Sequence, residues 1–364
     1  ERRAHAAPVP IIEQGEAGTT PDSAQTLVDV LQWHVNTHPD RTHIHLLTEE
    51  EEHPTLTYRQ LWEQAQKIAA GLQELGIQPG DTVAIMLPTG SEYFFSFFAI
   101  LLAGAIPVPI YPPLRRSQLE EHLRRHQGIL SNCNARVLIT VSRAKVFAQL
   151  LKSQVPSLMH VSTAADLAAA ADAYQSPDIE PVDIAFLQYT SGSTGSPKGV
   201  ILTHQNLLAN IRAMGEAVQA NGRDIFVSWL PLYHDMGLIG AWLASMYFSA
   251  TLVSLSPLSF LTRPQRWLEA IHHYRGTLSA SPNFGYELCM KRISDGEIAK
   301  LDLSSWRLAF NGAEPVSPAT IENFTARFAP TGFAPESMCP VYGLAESTVG
   351  LAFPPLNRRP RIDS

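Results

Sequence analysis

Cysteine and charge are both scarce in this sequence of 364 residues. The three cysteines, Cys133, Cys289 and Cys339, lie far apart and form neither a CxxC pair nor a Cys/His metal-ligand pattern. They are too few for a disulfide scaffold, which favours a reducing, cytoplasmic setting. Only 17% of the residues are charged, and the formal net charge is −7. This balance argues against intrinsic disorder and against a general nucleic-acid-binding surface.

Long apolar runs are also missing. The longest, residues 93–106, is followed by Pro107 and Pro109 and is shorter than the ~20 residues that cross a bilayer, so it predicts a buried helix. Residues 1–24 are rich in Pro, Gly, Ala and Glu but lack the apolar core of a secretory signal, and they predict a linker or leader. The chain starts at Glu1 and ends without a closing element, so we expect it to be part of a longer protein.

The remaining sequence alternates between strand-like and helix-like segments. Residues 82–109 read as strand, helix and strand, which is the βαβ unit of a parallel sheet. Thr57 predicts the start of a helix and Gly76 its end. The alternation predicts an α/β fold with a first subdomain at residues 25–180 and a second at residues 181–364, which carries the motifs described below. The Ala-rich residues 164–173 predict a surface helix.

The most informative segment is YTSGSTGSPKGV, residues 189–200, which follows a strand-like run and is expected to precede a helix. Glycines let backbone N–H groups turn toward a ligand, hydroxyls donate further hydrogen bonds, and Lys198 adds a positive charge. This combination suits a polyphosphate, whereas a flexible turn is the alternative. It is not a Walker A loop, because Ser196 and Pro197 separate Gly195 from the lysine.

Three further segments follow in order: WLPLYHDMGLIG at 229–240, NGAEPVS at 311–317 and VYGLAEST at 341–348. With the glycine-rich loop, they resemble the adenylate-forming superfamily of acyl-CoA synthetases, luciferases and peptide-synthetase adenylation domains. The resemblance covers residues from about 25 to 355, and the motifs are most similar to those of fatty acyl-AMP ligases. It implies an N-terminal domain of two flavodoxin-like α/β subdomains plus a distorted β-barrel. The family's small C-terminal domain, with its catalytic lysine, would lie beyond Ser364.

The resemblance also implies an activity. A fatty acid would react with ATP to give an acyl-adenylate and pyrophosphate, with Mg²⁺ as the metal cofactor. The acyl group would then pass to the phosphopantetheine thiol of an acyl carrier protein or a polyketide/peptide synthase. One alternative is a long-chain fatty acid–CoA ligase, and another is a non-catalytic module that binds a nucleotide or lipid. No nucleic-acid partner and no transmembrane segment are expected, and this chain alone would have weak activity or none.

Site residues are carried over by position. The resemblance implies that the glycine-rich loop and its lysine hold the β- and γ-phosphates. It also implies that the segment 311–317, which we call the adenine platform, binds the adenine together with Tyr342 and Gly343. The loop set is Thr190, Ser191, Gly192, Ser193, Thr194, Gly195 and Lys198, and the nucleotide set is Gly312, Ala313, Glu314, Tyr342 and Gly343. Glu346 matches the magnesium-binding glutamate, although without the resemblance it would read as a solvated acid. Ala345 stands where the family commonly has threonine, and Ser347 or Thr348 is the candidate substitute.

His234 completes the predicted catalytic set with Lys198 and Glu346. The family places a histidine here, near the reacting carboxylate, whereas a lone histidine between a strand and an apolar helix is more often a core residue. Asp235 can instead pair with an amino group if the substrate is an amino acid. The apolar character of the following helix and of residues 279–289 favours an acyl tunnel.

Overall fold

The computed structural model describes Ile12 and residues 19–49, 53–112, 119–169, 171–190 and 198–362. The helices are α1 Leu27–Thr37, α2 Tyr58–Glu74, α3 Ser91–Leu102, α4 Leu119–Asn132, α5 Lys145–Gln154, α6 Ala164–Leu167, α7 His204–Val218, α8 Ala244–Tyr247, α9 Pro257–Thr262, α10 Gln265–Tyr274, α11 Asn283–Arg292, α12 Asp295–Ile298 and α13 Pro318–Phe328. The strands are β1 Thr42–Leu47, β2 Thr55–Thr57, β3 Thr82–Met86, β4 Ile106–Pro109, β5 Val137–Thr140, β6 His160–Ser162, β7 Ile184–Thr190, β8 Lys198–Thr203, β9 Ile225–Ser228, β10 Thr251–Leu255, β11 Leu278–Ser281, β12 Leu308–Asn311 and β13 Met338–Pro340. A π-helix, Met236–Leu243, leads directly into α8.

The strands form two largely parallel sheets and one antiparallel pair. The larger sheet has the order β13-β12-β11-β9-β10-β1-β2, and only β2 at its edge runs antiparallel. The smaller sheet, β4-β3-β5-β6, is parallel throughout. Strands β7 and β8 pair antiparallel. The predicted α/β class is therefore confirmed. In place of the expected distorted barrel, the described residues contribute only this third, two-stranded sheet.

The βαβ unit predicted over residues 82–109 is confirmed as β3, α3 and β4, with Val83 opposite Pro107 in parallel register. Helix α3 is apolar on nearly all sides because it is buried on nearly all sides. Phe94, Phe97 and Phe98 are fully buried in it, and all three rings lie against Trp242 of the π-helix. This aromatic cluster joins the first half of the chain to the second.

Helix α2 begins and ends as the sequence predicts. The Thr57 side chain accepts a hydrogen bond from the backbone N–H of Gln60, whose side chain accepts one from the Thr57 N–H in return, which is a capping box. Gly76 follows the helix with a φ of +81°, a conformation that favours glycine.

The sheet topology crosses the predicted boundary at residue 180. Strands β1 and β2 come from the first half of the chain, yet β1 pairs with β10, with Ile44 opposite Leu252. The division into residues 25–180 and 181–364 therefore remains a prediction about folding units. Most of the predicted linker, residues 1–11 and 13–18, lies outside the described residues. Its last part packs against the second half of the chain, because the Ser249 hydroxyl donates to the carbonyl of Thr19 over 2.9 Å.

The Ala-rich segment at 164–173 departs from its prediction as a surface helix. Helix α6 has only four residues, and Ala164 and Leu167 within it are buried. The chain packs tightly there against α2, since a Cβ added to Gly71 would overlap the backbone of Leu167. Alanine content alone misled the prediction, because the helix ends where Ala168 turns extended to follow this packing.

The remaining negative expectations concern membrane helices and cysteines. In the described part of the chain, no helix combines the length and hydropathy needed to cross a bilayer. Cys133, Cys289 and Cys339 are all buried and unpaired. Burial raises the pKa of the Cys133 thiol to about 11 and that of Cys339 to about 12, so both are protonated, inert core side chains near neutral pH.

Candidate active site

A cavity of about 550 Å³ lies against the larger sheet and gathers most of the predicted site residues that the structure describes. Seven of them line it: Thr190, Lys198, His234, Ala313, Tyr342, Gly343 and Glu346. Five others, Ser191, Gly192, Ser193, Thr194 and Gly195, lie outside the described residues. The last two, Gly312 and Glu314, adjoin Ala313 in the chain but are not part of the lining.

The polar and apolar parts of this cavity lie at opposite ends of the strands of the larger sheet, which we call its carboxyl edge and its amino edge. His234, Ala313 and Tyr342 follow the carboxyl ends of β9, β12 and β13, which run parallel. At the other edge, Ala250 immediately precedes β10 and Leu278 is the first residue of β11. The cavity therefore extends along the strands, from a polar mouth at their carboxyl ends to an apolar end at their amino ends. Ligands of open α/β sheets bind at the carboxyl edge.

The glycine-rich segment connects β7 to β8. Thr190 ends β7 and lies opposite Lys198, the first residue of β8, in the antiparallel pair that these two strands form. The predicted helix follows the segment as α7, but the last three residues of β8, 201–203, lie between the two. A helix N-terminus therefore does not follow the loop directly. Lys198 is exposed and has no ion-pair partner among the described residues, so its charge is available to a ligand.

His234 and Asp235 form a hydrogen-bonded pair at the mouth. The Nδ1 of His234 lies 2.7 Å from Oδ1 of Asp235, and the same oxygen accepts the backbone N–H of Met236 over 2.7 Å. The carboxylate raises the pKa of His234, although partial burial opposes this. The histidine side chain is 53% exposed and that of Asp235 only 13%. The pair therefore offers a cation, backed by a carboxylate, with Nε2 left for a ligand.

The predicted adenine platform follows β12. Gly312 is buried, and a Cβ there would lie 2.9 Å from both a methyl group and the carbonyl oxygen of Val341, so the close approach of the two chain segments requires glycine. Ala313 lines the cavity with a φ of +66°, an uncommon conformation that clusters at binding sites. The Glu314 carboxylate accepts the backbone N–H of Phe284 over 2.6 Å, at the first turn of α11. Glu314 thus has a structural partner, and its predicted nucleotide contact remains a prediction.

The segment after β13 carries Tyr342 and Glu346. Backbone hydrogen bonds in both directions, 3.1 and 2.9 Å long, fix Tyr342 to Ala352. Its ring is 63% exposed, so one face is free to stack on a planar ligand. Glu346 is exposed within a 3₁₀ turn, Ala345–Ser347, that packs beside β8, the strand that begins with Lys198. A cation and a carboxylate therefore approach the mouth from adjacent elements.

The suggested substitutes for the missing threonine do not reach the cavity. The Ser347 hydroxyl donates to the carbonyl of Leu344 over 3.1 Å, and Thr348 is buried. Neither residue lines the cavity.

Among the described residues that line the mouth, Glu346 is the carboxylate that has no hydrogen-bonded partner, whereas Asp235 is paired with His234. No group of three or more His, Cys, Asp or Glu side chains among the described residues is arranged to hold a metal ion. Glu346 has no hydrogen-bond or ion-pair partner within the described residues. One carboxylate fits Mg²⁺, which is usually held by one or two carboxylates together with substrate phosphates and water.

The apolar part of the cavity is formed largely by one helical segment. Met236, Gly240, Ala244 and Phe248 recur every four residues along the π-helix and α8 and line one wall. The helix lines an apolar cavity, as expected, and the acyl ligand of that cavity remains a prediction. From residues 279–289, only Ala280 contributes. The sequence reasoning missed the opposite walls, which come from Met214 and Val218 of α7, Phe226, Phe310 and Phe353. The apolar stripe of α7 was the available signal, but it reads equally well as core.

The fold and site together define an α/β protein with an apolar cavity whose polar mouth carries Lys198, His234 and Glu346. Residues 31–364 match the AMP-binding enzyme family, and the chain belongs to this family. It is 38% identical to the medium-chain fatty acid–acyl-carrier-protein ligase of Moorena producens, over 89% of this chain and 55% of the relative. It is 37% identical to the long-chain fatty acid–AMP ligase of Mycolicibacterium smegmatis, over 84% of this chain and 49% of the relative. The chain spans about half the length of these curated relatives.

Solved structures support the same assignment. The fatty acyl-adenylate ligase of Legionella pneumophila, determined with acyl adenylate and pyrophosphate, is 38% identical and has a TM-score of 0.82 over 92% of this chain and 58% of that one. The adenylation domain of a keto acid-selecting nonribosomal peptide synthetase module is 26% identical, with a TM-score of 0.83 over 91% of this chain and 61% of that one. The resemblance to the adenylate-forming superfamily is therefore confirmed, and with it the N-terminal-domain fold.

Proposed function

We propose that the protein containing this chain is a fatty acyl-AMP ligase. A fatty acid carboxylate oxygen attacks the α-phosphorus of ATP, the bond to the bridging oxygen breaks, and pyrophosphate leaves with the bonding electrons. The products are an acyl-adenylate and pyrophosphate. No covalent enzyme intermediate is needed, so the protein acts mainly by positioning two anions and stabilising the negative charge that develops between them.

The observation that carries this proposal is the two-part character of the cavity. Its apolar length at the amino edge of the sheet suits an alkyl chain, which gains roughly 0.8 kcal/mol per buried methylene. Its mouth presents Lys198, His234 and Glu346, the three predicted catalytic residues. A carboxylic acid lying in the tunnel would therefore bring its carboxylate to the group of side chains that can hold a triphosphate.

Each mouth residue has a role that suits its chemistry. Lys198 and the hydroxyl of Thr190, together with the loop residues 191–195, bind the β- and γ-phosphates. The Glu346 carboxylate holds Mg²⁺, which neutralises phosphate charge when bound. His234, whose pKa Asp235 raises, donates to the fatty acid carboxylate and orients it. Tyr342 stacks on the adenine beside Ala313. Asp235 is occupied by His234, which favours a fatty acid over an amino acid substrate.

The acyl acceptor we propose is the phosphopantetheine thiol of an acyl carrier protein or synthase module. Support comes from two relatives, from Moorena producens and Teredinibacter turnerae, that are named as fatty acid–acyl-carrier-protein ligases. Coenzyme A is the alternative acceptor. We also propose a cytoplasmic location, which the three buried, unpaired cysteines support.

The test is ATP–pyrophosphate exchange with the full-length protein, using saturated fatty acids from acetate to hexadecanoate and a panel of amino acids. Hydroxylamine trapping would identify the acyl-adenylate. We expect exchange to rise with acyl length, and holo-acyl carrier protein to be acylated in preference to coenzyme A. Better exchange with an amino acid than with any fatty acid would refute the substrate, whereas ATP binding without exchange would point to a non-catalytic module.

A further inference from the structure

The amino-edge end of the cavity meets a second cavity at the protein surface. This outer groove, of about 620 Å³, lies between α7, the end of α8 and residues 20–22. It shares three lining residues with the tunnel, namely Gly215, Ala220 and Phe248. These three residues therefore form the wall that separates the tunnel from the groove.

Phe248 is the only one of the three wall residues with a large side chain. Its ring lies directly on Gly215, since a Cβ added to that glycine would overlap the ring. The Tyr247 ring contacts it edge-to-face at 5.0 Å between centroids. Gly215 and Ala220 contribute almost no side-chain volume, so the phenyl ring is what closes the passage between the two cavities.

The groove beyond this ring is polar. The guanidinium of Arg212 donates to the Tyr247 hydroxyl over 2.8 Å and to the Ala24 carbonyl over 2.7 Å. Asp22 and Glu216 also line the groove. A methylene that passed Phe248 would leave an apolar tunnel for a wet, charged surface. Each carbon of an acyl chain on the tunnel side of Phe248 thus gains burial, and carbons beyond the phenyl ring gain none.

We propose that Phe248 terminates the acyl tunnel and sets the longest chain that the tunnel accepts in full. This inference rests on the proposed function only in taking the tunnel's ligand to be a fatty acyl chain. Phe248 stands at the amino edge of the sheet and the reacting groups at the carboxyl edge. It therefore determines chain length without contacting the carboxylate or the nucleotide.

The test measures chain-length profiles in the full-length protein by two readouts, displacement of a fluorescent fatty acid and ATP–pyrophosphate exchange. In the wild type, affinity should rise with each added carbon and then level off. In Phe248→Ala the plateau should move to longer acids, and an acid two carbons beyond the wild-type plateau should bind about tenfold more tightly than it binds the wild type. Phe248→Leu, which is milder, should move the plateau in the same direction if the alanine variant folds poorly.

Phe353→Ala is the matched control, because Phe353 lines the tunnel but not the groove. It enlarges the tunnel without opening it, so the plateau should stay in place. An unchanged plateau in both Phe248 variants, or an equal shift in Phe353→Ala, would overturn the inference.

The two readouts separate this inference from the proposed function. If the displacement assay shows a shifted plateau in the Phe248 variants, but neither the wild type nor the variants catalyse ATP–pyrophosphate exchange, the role of Phe248 is upheld and adenylation is refuted. If exchange is normal but the plateau does not shift in the Phe248 variants, adenylation is upheld and the role of Phe248 is refuted. If the wild type binds no fatty acid, both proposals fail.

Discussion

Gly240 offers a direct way to shorten the tunnel from inside. It lies in the middle of the π-helix, lines the cavity, and has no heavy atom within 4 Å of the position that a Cβ would take. Its φ is not in the left-handed region, so any L-residue can replace it without backbone strain. Gly240→Leu should therefore fold normally and project its side chain into the space where the acyl chain lies.

The expected loss follows from the carbons that the leucine displaces. The new side chain brings about four carbons into a cavity of about 550 Å³, so it should exclude about four methylenes of a chain that fills the tunnel. At ~0.8 kcal/mol per buried methylene, the loss is about 3 kcal/mol, or about 200-fold in affinity. An acid too short to reach Gly240, such as butanoate, should bind within about threefold of its wild-type affinity.

The assay is the dissociation constant of each saturated acid from butanoate to hexadecanoate, measured by displacement of a fluorescent fatty acid. Gly128→Leu is the matched control, since Gly128 is an exposed glycine of α4 that also has free space around its missing Cβ and lies away from the cavity. It should leave every affinity unchanged. The reasoning is refuted if Gly240→Leu weakens short and long acids equally, or if dodecanoate binds the variant as it binds the wild type.

Four further predictions concern the mouth and the core. Lys198→Ala should raise the KM for ATP by about 10- to 150-fold with folding intact, because a charge-assisted contact is worth about 1.5–3 kcal/mol, and unchanged ATP dependence would remove Lys198 from the site. Glu346→Gln should raise the Mg²⁺ concentration needed for half-maximal exchange without changing thermal stability, and overlapping titrations would make Glu346 structural. In Asp235→Asn the pKa of His234 should fall, so the loss of fatty acid affinity with rising pH should begin at lower pH than in the wild type, and coincident pH profiles would refute the pairing. Burial and nearby cations lower the pKa of His43 to about 3, so this histidine is neutral when folded and protonated when unfolded below pH 6.5. Urea unfolding should show stability lost as pH falls from 6.5 toward 3, by up to about 1.4 kcal/mol per pH unit, and an equally steep loss in His43→Gln would contradict this.

Local signals predicted those elements whose sequence carries its own start and stop. Helix α7 begins at His204 after a capping box from Thr203 to Asn206, and the helical period predicts its extent. Strands β1 and β2 were missed because β2 has only three residues, β1 begins Thr-His-Ile-His, and the place of β1 in the larger sheet depends on pairing with β10, about 200 residues away. Such long-range pairing leaves no local period to recognise.

The candidate site likewise contains features that local sequence predicted and features that depend on long-range packing. The motifs predicted which residues reach the mouth, because three of them directly follow the parallel strands β9, β12 and β13, and the glycine-rich motif joins β7 to β8. They did not predict that the Glu314 carboxylate would accept the Phe284 N–H of α11, or that β7 and β8 would pair with each other. Those outcomes depend on which element packs against the motif, and the motif itself does not encode its neighbour.

The arrangement along the sheet separates two properties that selection can then change independently. In the proposed function, nucleotide and carboxylate would meet Lys198, His234 and Glu346 at the carboxyl ends of the strands, where the loop sequences would determine the chemistry. Acyl length would be set at the amino ends of the parallel strands, where α7 and α8 supply the walls. A substitution at Gly240 or Phe248 therefore changes how much of the chain is buried without moving the charges at the mouth. Chain-length variants should accordingly keep the wild-type dependence on ATP, Mg²⁺ and pH, which can be measured on the same proteins with their best acid.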